Sequence, residues 1–229
     1  MTSSYSPRLQ QLVAETLIDI ESTLSNFINP LVAYSGGKDG NVVMHLVNRI
    51  RPIKGVCETS FYFQRQKQDV EQTIANLNYD VEIKDSLNWA WLSKHQNIIF
   101  ANDSKNRSKS FAMRQQAVVA NHAHLHNHDV VIFGRRTQEN NVKSKLYEAK
   151  GLLNYFPIKE WRHTDIWEYI DKTPELEVPW IYSQFFGTKS GNSPFYSIRA
   201  KYFAGGYDEA WDYCTSLDSN ISKDKLNVN

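Results

Sequence analysis

Apolar residues recur at helical spacing from residue 8 to residue 27, where Leu9, Leu12, Val13, Leu17, Ile20, Leu24 and Phe27 line one face of an amphipathic helix. Pro30 interrupts that pattern, and Leu31-Val32-Ala33-Tyr34 is a short apolar run of the kind a buried strand shows. Ser35 to Gly40 is polar and rich in glycine. Helical spacing resumes with Val42, Val43, Leu46, Val47 and Ile50, so the glycines fall between a strand and a helix N-terminus. The alternation continues with strand-like Ile53–Cys57, helix-like Asp69–Leu77, strand-like Tyr79–Ile83, a long helix over Arg107–His126 and the apolar run Val130–Phe133. Strands alternating with helices predict an α/β fold, a doubly wound and mostly parallel five-stranded sheet with helices on both faces. The expected divisions are an N-terminal helix over 1–27, one domain over 28–215 and a polar tail over 216–229.

Composition narrows the class. The 229 residues are 41% hydrophobic with 6 Trp, 12 Tyr and 11 Phe, too rich in core-forming residues for a disordered chain. Lys+Arg (26) nearly balance Asp+Glu (25), which argues against a nucleic-acid binder relying on bulk positive charge. Cys57 and Cys214 form no C-x-x-C pair, so neither a zinc thiolate site nor an iron–sulfur cluster is expected. Residues 1–7 lack the apolar core of a secretion signal, and apolar runs such as Ile98-Ile99-Phe100-Ala101 are too short to span a bilayer. The expectation is a cytoplasmic protein with no membrane partner.

The chemistry concentrates in Tyr34-Ser35-Gly36-Gly37-Lys38-Asp39-Gly40. Adjacent glycines let the backbone approach an anion closely with its N–H groups turned inward. The helix that follows adds its positive dipole end at the same place. Ser35 contributes a hydroxyl and Lys38 a mobile positive charge. The spacing is not G-x-x-x-x-G-K-[ST], so this is not the loop of a P-loop NTPase.

Ser35-Gly36-Gly37-Lys38-Asp39 resembles the S-G-G-K-D-[ST] pyrophosphate loop of the adenine nucleotide α-hydrolase (PP-loop) superfamily. Three further segments, in the same order, resemble its phosphoadenylyl-sulfate (PAPS) reductase and ATP sulfurylase small subunit branch. Glu58-Thr59-Ser60-Phe61 is similar to a D-T-G-aromatic segment near the adenine. Gly134-Arg135-Arg136-Thr137 is similar to a G-x-R-R element near ribose and substrate anion. Pro157-Ile158-Lys159-Glu160-Trp161-Arg162-His163-Thr164-Asp165-Ile166-Trp167 resembles P-[IL]-x-x-W-x-x-x-D-[IV]-W. The resemblance spans about residues 28 to 200 and implies a nucleotide lying across the strand carboxyl ends. It implies nucleotide contacts from Tyr34, Ser35, Gly36, Gly37, Asp39, Gly40, Glu58, Thr59 and Gly134, and catalytic roles for Lys38, Arg135 and Arg136.

The departures from that pattern are specific. Gly40 stands where the loop usually ends in Ser or Thr, and Glu58 replaces the usual Asp. The E-C-G-x-H tail that carries the reductase nucleophile is missing; Cys214 sits in Tyr213-Cys214-Thr215, with no adjacent Lys or Arg to lower its pKa. The leading expectation is therefore adenylyl transfer from ATP, with Mg²⁺, pyrophosphate release and a sulfate- or FMN-type anionic acceptor. Arg135 and Arg136 would orient that acceptor. A PAPS or adenylyl-sulfate reductase using Cys214 is the second reading, and a non-catalytic nucleotide-binding subunit the third. A partner subunit or a homo-oligomer is compatible with each.

Three other patterns complete the survey. His122 with His126, or His124 with His128, would share a helix face, but no Glu or Cys lies among them and no metal is expected there. Lys105, Arg107, Lys109 and Arg114 form a basic stretch, read either as a segment folding over an anionic substrate or as a solvated helix start. Trp161, Trp167 and Trp180 are expected to be core, with Thr164 capping a helix through Ile166, Trp167 and Ile170; Gly187–Asn192 is a polar turn.

Overall fold

A computed structural model describes residues 5–58, 64–84, 94, 117–138, 142, 144–149, 151–185, 208–209 and 211–216. The elements run α1 (Pro7–Leu24), β1 (Pro30–Tyr34), α2 (Lys38–Ile50), β2 (Gly55–Glu58), α3 (Gln64–Asn76), β3 (Val81–Lys84), α4 (Ala117–Leu125), β4 (Val130–Phe133), β5 (Leu146–Ala149), β6 (Leu152–Tyr155), α5 (His163–Lys172) and α6 (Trp180–Phe185). The chain forms two compact units, one of residues 1–57, 73–83 and 119–178, the other of residues 58–72, 84–118 and 179–229.

The sheet belongs to the first unit and has the order β3-β2-β1-β4-β6-β5. β1 pairs in parallel with β2 and β4, and β4 in parallel with β6, while β5 is antiparallel to β6. The alternation therefore gave the fold class correctly but not the strand number, which among the described residues is six rather than five. The extra strand comes from the β5–β6 hairpin, whose turn uses Gly151 at φ +71°. All four β5 residues are exposed, so an edge strand wetted on both faces leaves no alternation for a sequence reading to detect.

Helices cover both faces. Val119 and Ala123 of α4 pack on Leu31, Val56, Val131 and Leu152, one from each of β1, β2, β4 and β6. Successive strand residues point to opposite faces, so Val32 and Ile132, both fully buried, turn to the other layer. That layer is α1, α2 and α5 packed on one another. α1 starts where Ser6 Oγ accepts from the Leu9 N–H and Pro7 occupies the first turn. It buries Leu9, Val13, Thr16, Ile20 and Leu24 at the expected spacing.

α5 is tied to α1 through polar groups as well. Trp161 is 1% exposed, and its indole N–H donates to Thr16 Oγ1 at 3.0 Å. Asp165, 4% exposed, accepts from the Arg162 backbone N–H at 2.7 Å and from Arg8 Nε and Nη2 at 3.2 Å each. Asp165, not Thr164, thus holds the start of α5, because the helix begins at His163 and leaves Thr164 inside its first turn. Trp161 and Trp167 are core, as expected, and Trp180 is half-buried.

In the second unit the Trp180 N–H at the start of α6 donates to Asp69 Oδ2 of α3 at 3.1 Å. Residues 211–216 are helical and bury Trp211 and Cys214. Ser216 belongs to that helix; the rest of the expected polar tail lies outside the described residues, as do residues 107–116 of the expected long helix.

Candidate functional site

In this sheet the chain progresses from β1 outward through β2 to β3 on one side and through β4 to β6 on the other. The topological switch point therefore lies between β1 and β4, where an open parallel sheet leaves a crevice at its carboxyl edge. Ser35 follows β1 and Gly134 follows β4, and the register pairs Ala33 with Phe133. The glycine turn and the Gly134-Arg135-Arg136 element thus meet at that crevice.

Backbone geometry explains the glycines. Gly36 takes φ +67°, a left-handed conformation that few other residues adopt without cost. Gly37 is the N-cap of α2 and offers no side-chain acceptor to the first turn. A Cβ on Gly134 would stand 2.8 Å from both the carbonyl carbon and the oxygen of Asp39, so only glycine lets β4 approach the start of α2 this closely. A Cβ on Gly40 would stand 2.9 Å from Ser35 Oγ and 3.2 Å from the Ser35 nitrogen. Ser35 is exposed at the mouth of the turn, and its Oγ lies 3.4 Å from the Gly37 nitrogen.

The charged residues are arranged differently from the sequence expectation. Lys38, taken there as mobile, is only 5% exposed and its ammonium pairs with Asp39 Oδ2. Arg136 is 1% exposed and its Nε donates to Asp39 Oδ1 at 2.6 Å. One carboxylate is thus shared between two buried cations, a trio with net charge +1 beside the positive end of α2. Burial of three charges is tolerable because each has an opposite charge in hydrogen-bonding contact.

Arg135 points elsewhere. Its guanidinium lies over the Phe133 ring at 5.1 Å from the centroid, and burial lowers its pKa from the ordinary value. Tyr34 turns into the core at 1% exposure and donates its hydroxyl to Asn41 Oδ1 at 2.7 Å. That bond ties the end of β1 to the first turn of α2, a role for Asn41 that its unremarkable place in the sequence does not reveal. The Thr137 N–H donates to the Lys159 carbonyl at 2.9 Å, linking the arginine element to the Pro157–Trp167 segment. Glu58 ends β2, while Thr59, the basic residues Lys105, Arg107, Lys109 and Arg114, and the Gly187–Asn192 turn lie outside the described residues.

The second cysteine is not arranged as a nucleophile. Cys214 has no exposed surface, and burial pushes its thiol pKa up to about 12. Cys57 in β2 is a second buried thiol.

The phosphoadenosine phosphosulfate reductase domain matches residues 29–189, more than half of the chain. The chain belongs to this family. Among curated relatives, sulfate adenylyltransferase subunit 2 of Proteus mirabilis (strain HI4320) is 23% identical, over 74% of this chain and 66% of the relative. The chain therefore spans just under two thirds of that relative's length. Solved structures support the fold. A phosphoadenylyl-sulfate (PAPS) reductase from Candida auris, in a phosphate complex, superposes with TM-score 0.54 at 14% identity, covering 75% of this chain and 89% of that one. An NMN synthetase from Francisella tularensis gives TM-score 0.54 at 17% identity, covering 99% and 98%. The NH3-dependent NAD synthetase from Campylobacter jejuni gives 0.53 at 15% identity, covering 71% and 72%. The family resemblance implied by the glycine turn is thus correct, and members of this fold carry enzyme names. No helix among the described residues is long and apolar enough to cross a membrane.

The Gly36–Gly37 backbone, the start of α2 and the Ser35 hydroxyl are neighbours where Gly134 keeps the wall close, and a helix start of this kind suits an anion. The site fits a protein-held Mg²⁺ poorly. The turn offers one carboxylate, Asp39, and both its oxygens are engaged by Arg136 and Lys38. A hard cation there would take its oxygen ligands from the phosphates and water.

Proposed function

We propose that the chain is an adenylyl-transfer enzyme that binds ATP at the β1–α2 turn and releases pyrophosphate as an acceptor attacks the α-phosphorus. The observation that carries this reading is the close approach of Gly134 to Asp39. It brings the Ser35–Gly40 turn beside the Gly134-Arg135-Arg136 element at the switch point, where a helix start suits an anion. The chain's own contribution is positioning and charge: backbone donors at Gly36 and Gly37 hold the leaving pyrophosphate, and the Lys38–Asp39–Arg136 trio supplies fixed positive charge behind it. Arg135, beside the same strand end, would orient a small anionic acceptor.

Such a reaction needs no protein nucleophile, and the burial of Cys214 agrees with that. The named relative is a subunit of sulfate adenylyltransferase, which supports sulfate as an acceptor to test and a second chain as a partner. The deciding experiment measures pyrophosphate release from ATP and Mg²⁺ with sulfate, FMN, tRNA or DNA as acceptor, against Lys38→Ala. Acceptor-dependent release that Lys38→Ala abolishes is the expected result. Nucleotide binding without release under every acceptor would replace this reading with that of a non-catalytic nucleotide-binding subunit.

A further inference from the structure

We propose that Glu82, His122 and His126 form a binding site for a transition-metal dication of the zinc class, independent of the nucleotide site. Glu82 lies on the edge strand β3, His122 in the last turns of α4, and His126 immediately beyond that helix. One ligand-type atom from each of the three residues falls within 4.8 Å of the other two. His122 Nδ1 is 3.7 Å from Glu82 Oε2, and the His122 and His126 rings stand with centroids 4.4 Å apart. Atoms sharing one tetrahedral zinc, each about 2.0–2.1 Å from it, stand about 3.4 Å from one another.

The chemistry of the set is selective. Two imidazoles and one carboxylate suit zinc and its neighbours and do not suit magnesium or calcium, which take oxygen ligands. Three protein ligands leave a fourth position for water. His122 supplies the rigid part of the set, at 9% exposure, with the His128 ring stacked on it at 5.7 Å. His128 is itself fixed by a hydrogen bond from Nδ1 to the Asn29 carbonyl at 3.0 Å. Glu82 and His126 are exposed, so an ion can reach them from solvent. The bound ion would tie the edge strand to the end of α4, raising the stability of the unit by mass action.

The test titrates the full chain, first stripped with EDTA, with Zn²⁺ by calorimetry, and with Co²⁺ by visible absorption. The variants are Glu82→Gln and His126→Ala, both at exposed positions, with the exposed neighbour His124→Ala as control. The expected result is one Zn²⁺ per chain, a metal-dependent rise in melting temperature, and affinity weakened more than about tenfold in both variants. Their metal-free melting temperatures and that of His124→Ala would match the parent. Absence of saturable Zn²⁺ binding by the parent, or parent-like affinity in His126→Ala, overturns the proposal and leaves Glu82–His122 as an ordinary side-chain contact.

Discussion

Arg136 Nε, just beyond β4, and Asp39 Oδ1, in the first turn of α2, meet at 2.6 Å in a place where the arginine keeps only 1% of its surface. Because Lys38 holds the other oxygen of the same carboxylate, Asp39 is the anionic hub of the turn. Removing its charge would take from Lys38 and Arg136, both buried, the carboxylate they share. Asp39→Asn is therefore expected to destabilise the fold by about 3–5 kcal/mol, the range for a broken buried pair. Urea denaturation of the two proteins measures it, and a loss under about 1 kcal/mol would mean the pair is far better solvated than its burial suggests.

Gly134 and Gly40 face different obstacles. A Cβ at Gly134 meets backbone atoms of Asp39 at 2.8 Å, which cannot yield without moving α2. A Cβ at Gly40 meets chiefly the rotatable hydroxyl of the exposed Ser35 at 2.9 Å. Gly134→Ala is expected to cost about 1–3 kcal/mol and to weaken nucleotide binding, whereas Gly40→Ala loses less, because it also gains helix propensity. Comparing the melting temperatures and ATP-induced shifts of the two variants checks the order; equal costs would contradict it.

The Cys214 thiol, neutral in the fold up to about pH 12 against an ordinary value of 9.0, ties stability to alkaline pH. A raised pKa means the native state binds a proton that the unfolded state has already lost. The contribution is present below about pH 9 and disappears as pH rises toward 12. Cys214→Ser should flatten that alkaline loss and leave pyrophosphate release unchanged at neutral pH. Rapid alkylation of Cys214 in the native protein at pH 8 would show that the thiol is not enclosed.

Asp165 joins α1 to α5 by accepting from Arg8 and from the Arg162 N–H. Arg8 is about half exposed, so its ion pair is worth little, while the backbone bond at the start of α5 acts as a helix cap. Asp165→Ala is expected to cost about 1–3 kcal/mol and Arg8→Ala under about 1 kcal/mol. A double-mutant cycle of the two, followed by thermal melts, separates cap from ion pair; an Arg8→Ala loss equal to that of Asp165→Ala would reverse the assignment.

Local patterns carried the architecture. The spacing in α1, the apolar runs of β1 and β4, and the glycine turn between β1 and α2 are each specified by residues a few positions apart, and chain order was enough to suggest a doubly wound sheet. The β5–β6 hairpin escaped because Leu146–Ala149 is exposed throughout, and hydrophobic pattern reports burial. The start of α5 escaped because Asp165 reaches back from inside the helix, where Thr164 looked like the natural cap.

At the site the division is sharper. By itself the sequence determined that a glycine-rich turn follows a strand, that a paired arginine element follows a later one, and that residues 1–229 hold no E-C-G-x-H motif. Only the tertiary structure decided what the charges do there. Lys38 and Arg136 are buried on one carboxylate, Arg135 lies over Phe133, Tyr34 is committed to Asn41, and Cys214 is sealed from solvent. His122 of α4 and His126 just beyond it acquired a carboxylate neighbour, Glu82, from a strand far upstream. The physical reason is common to all of them. A charge's partner and its exposure depend on which distant segments fold against it, and residue type and spacing along the chain carry no record of that.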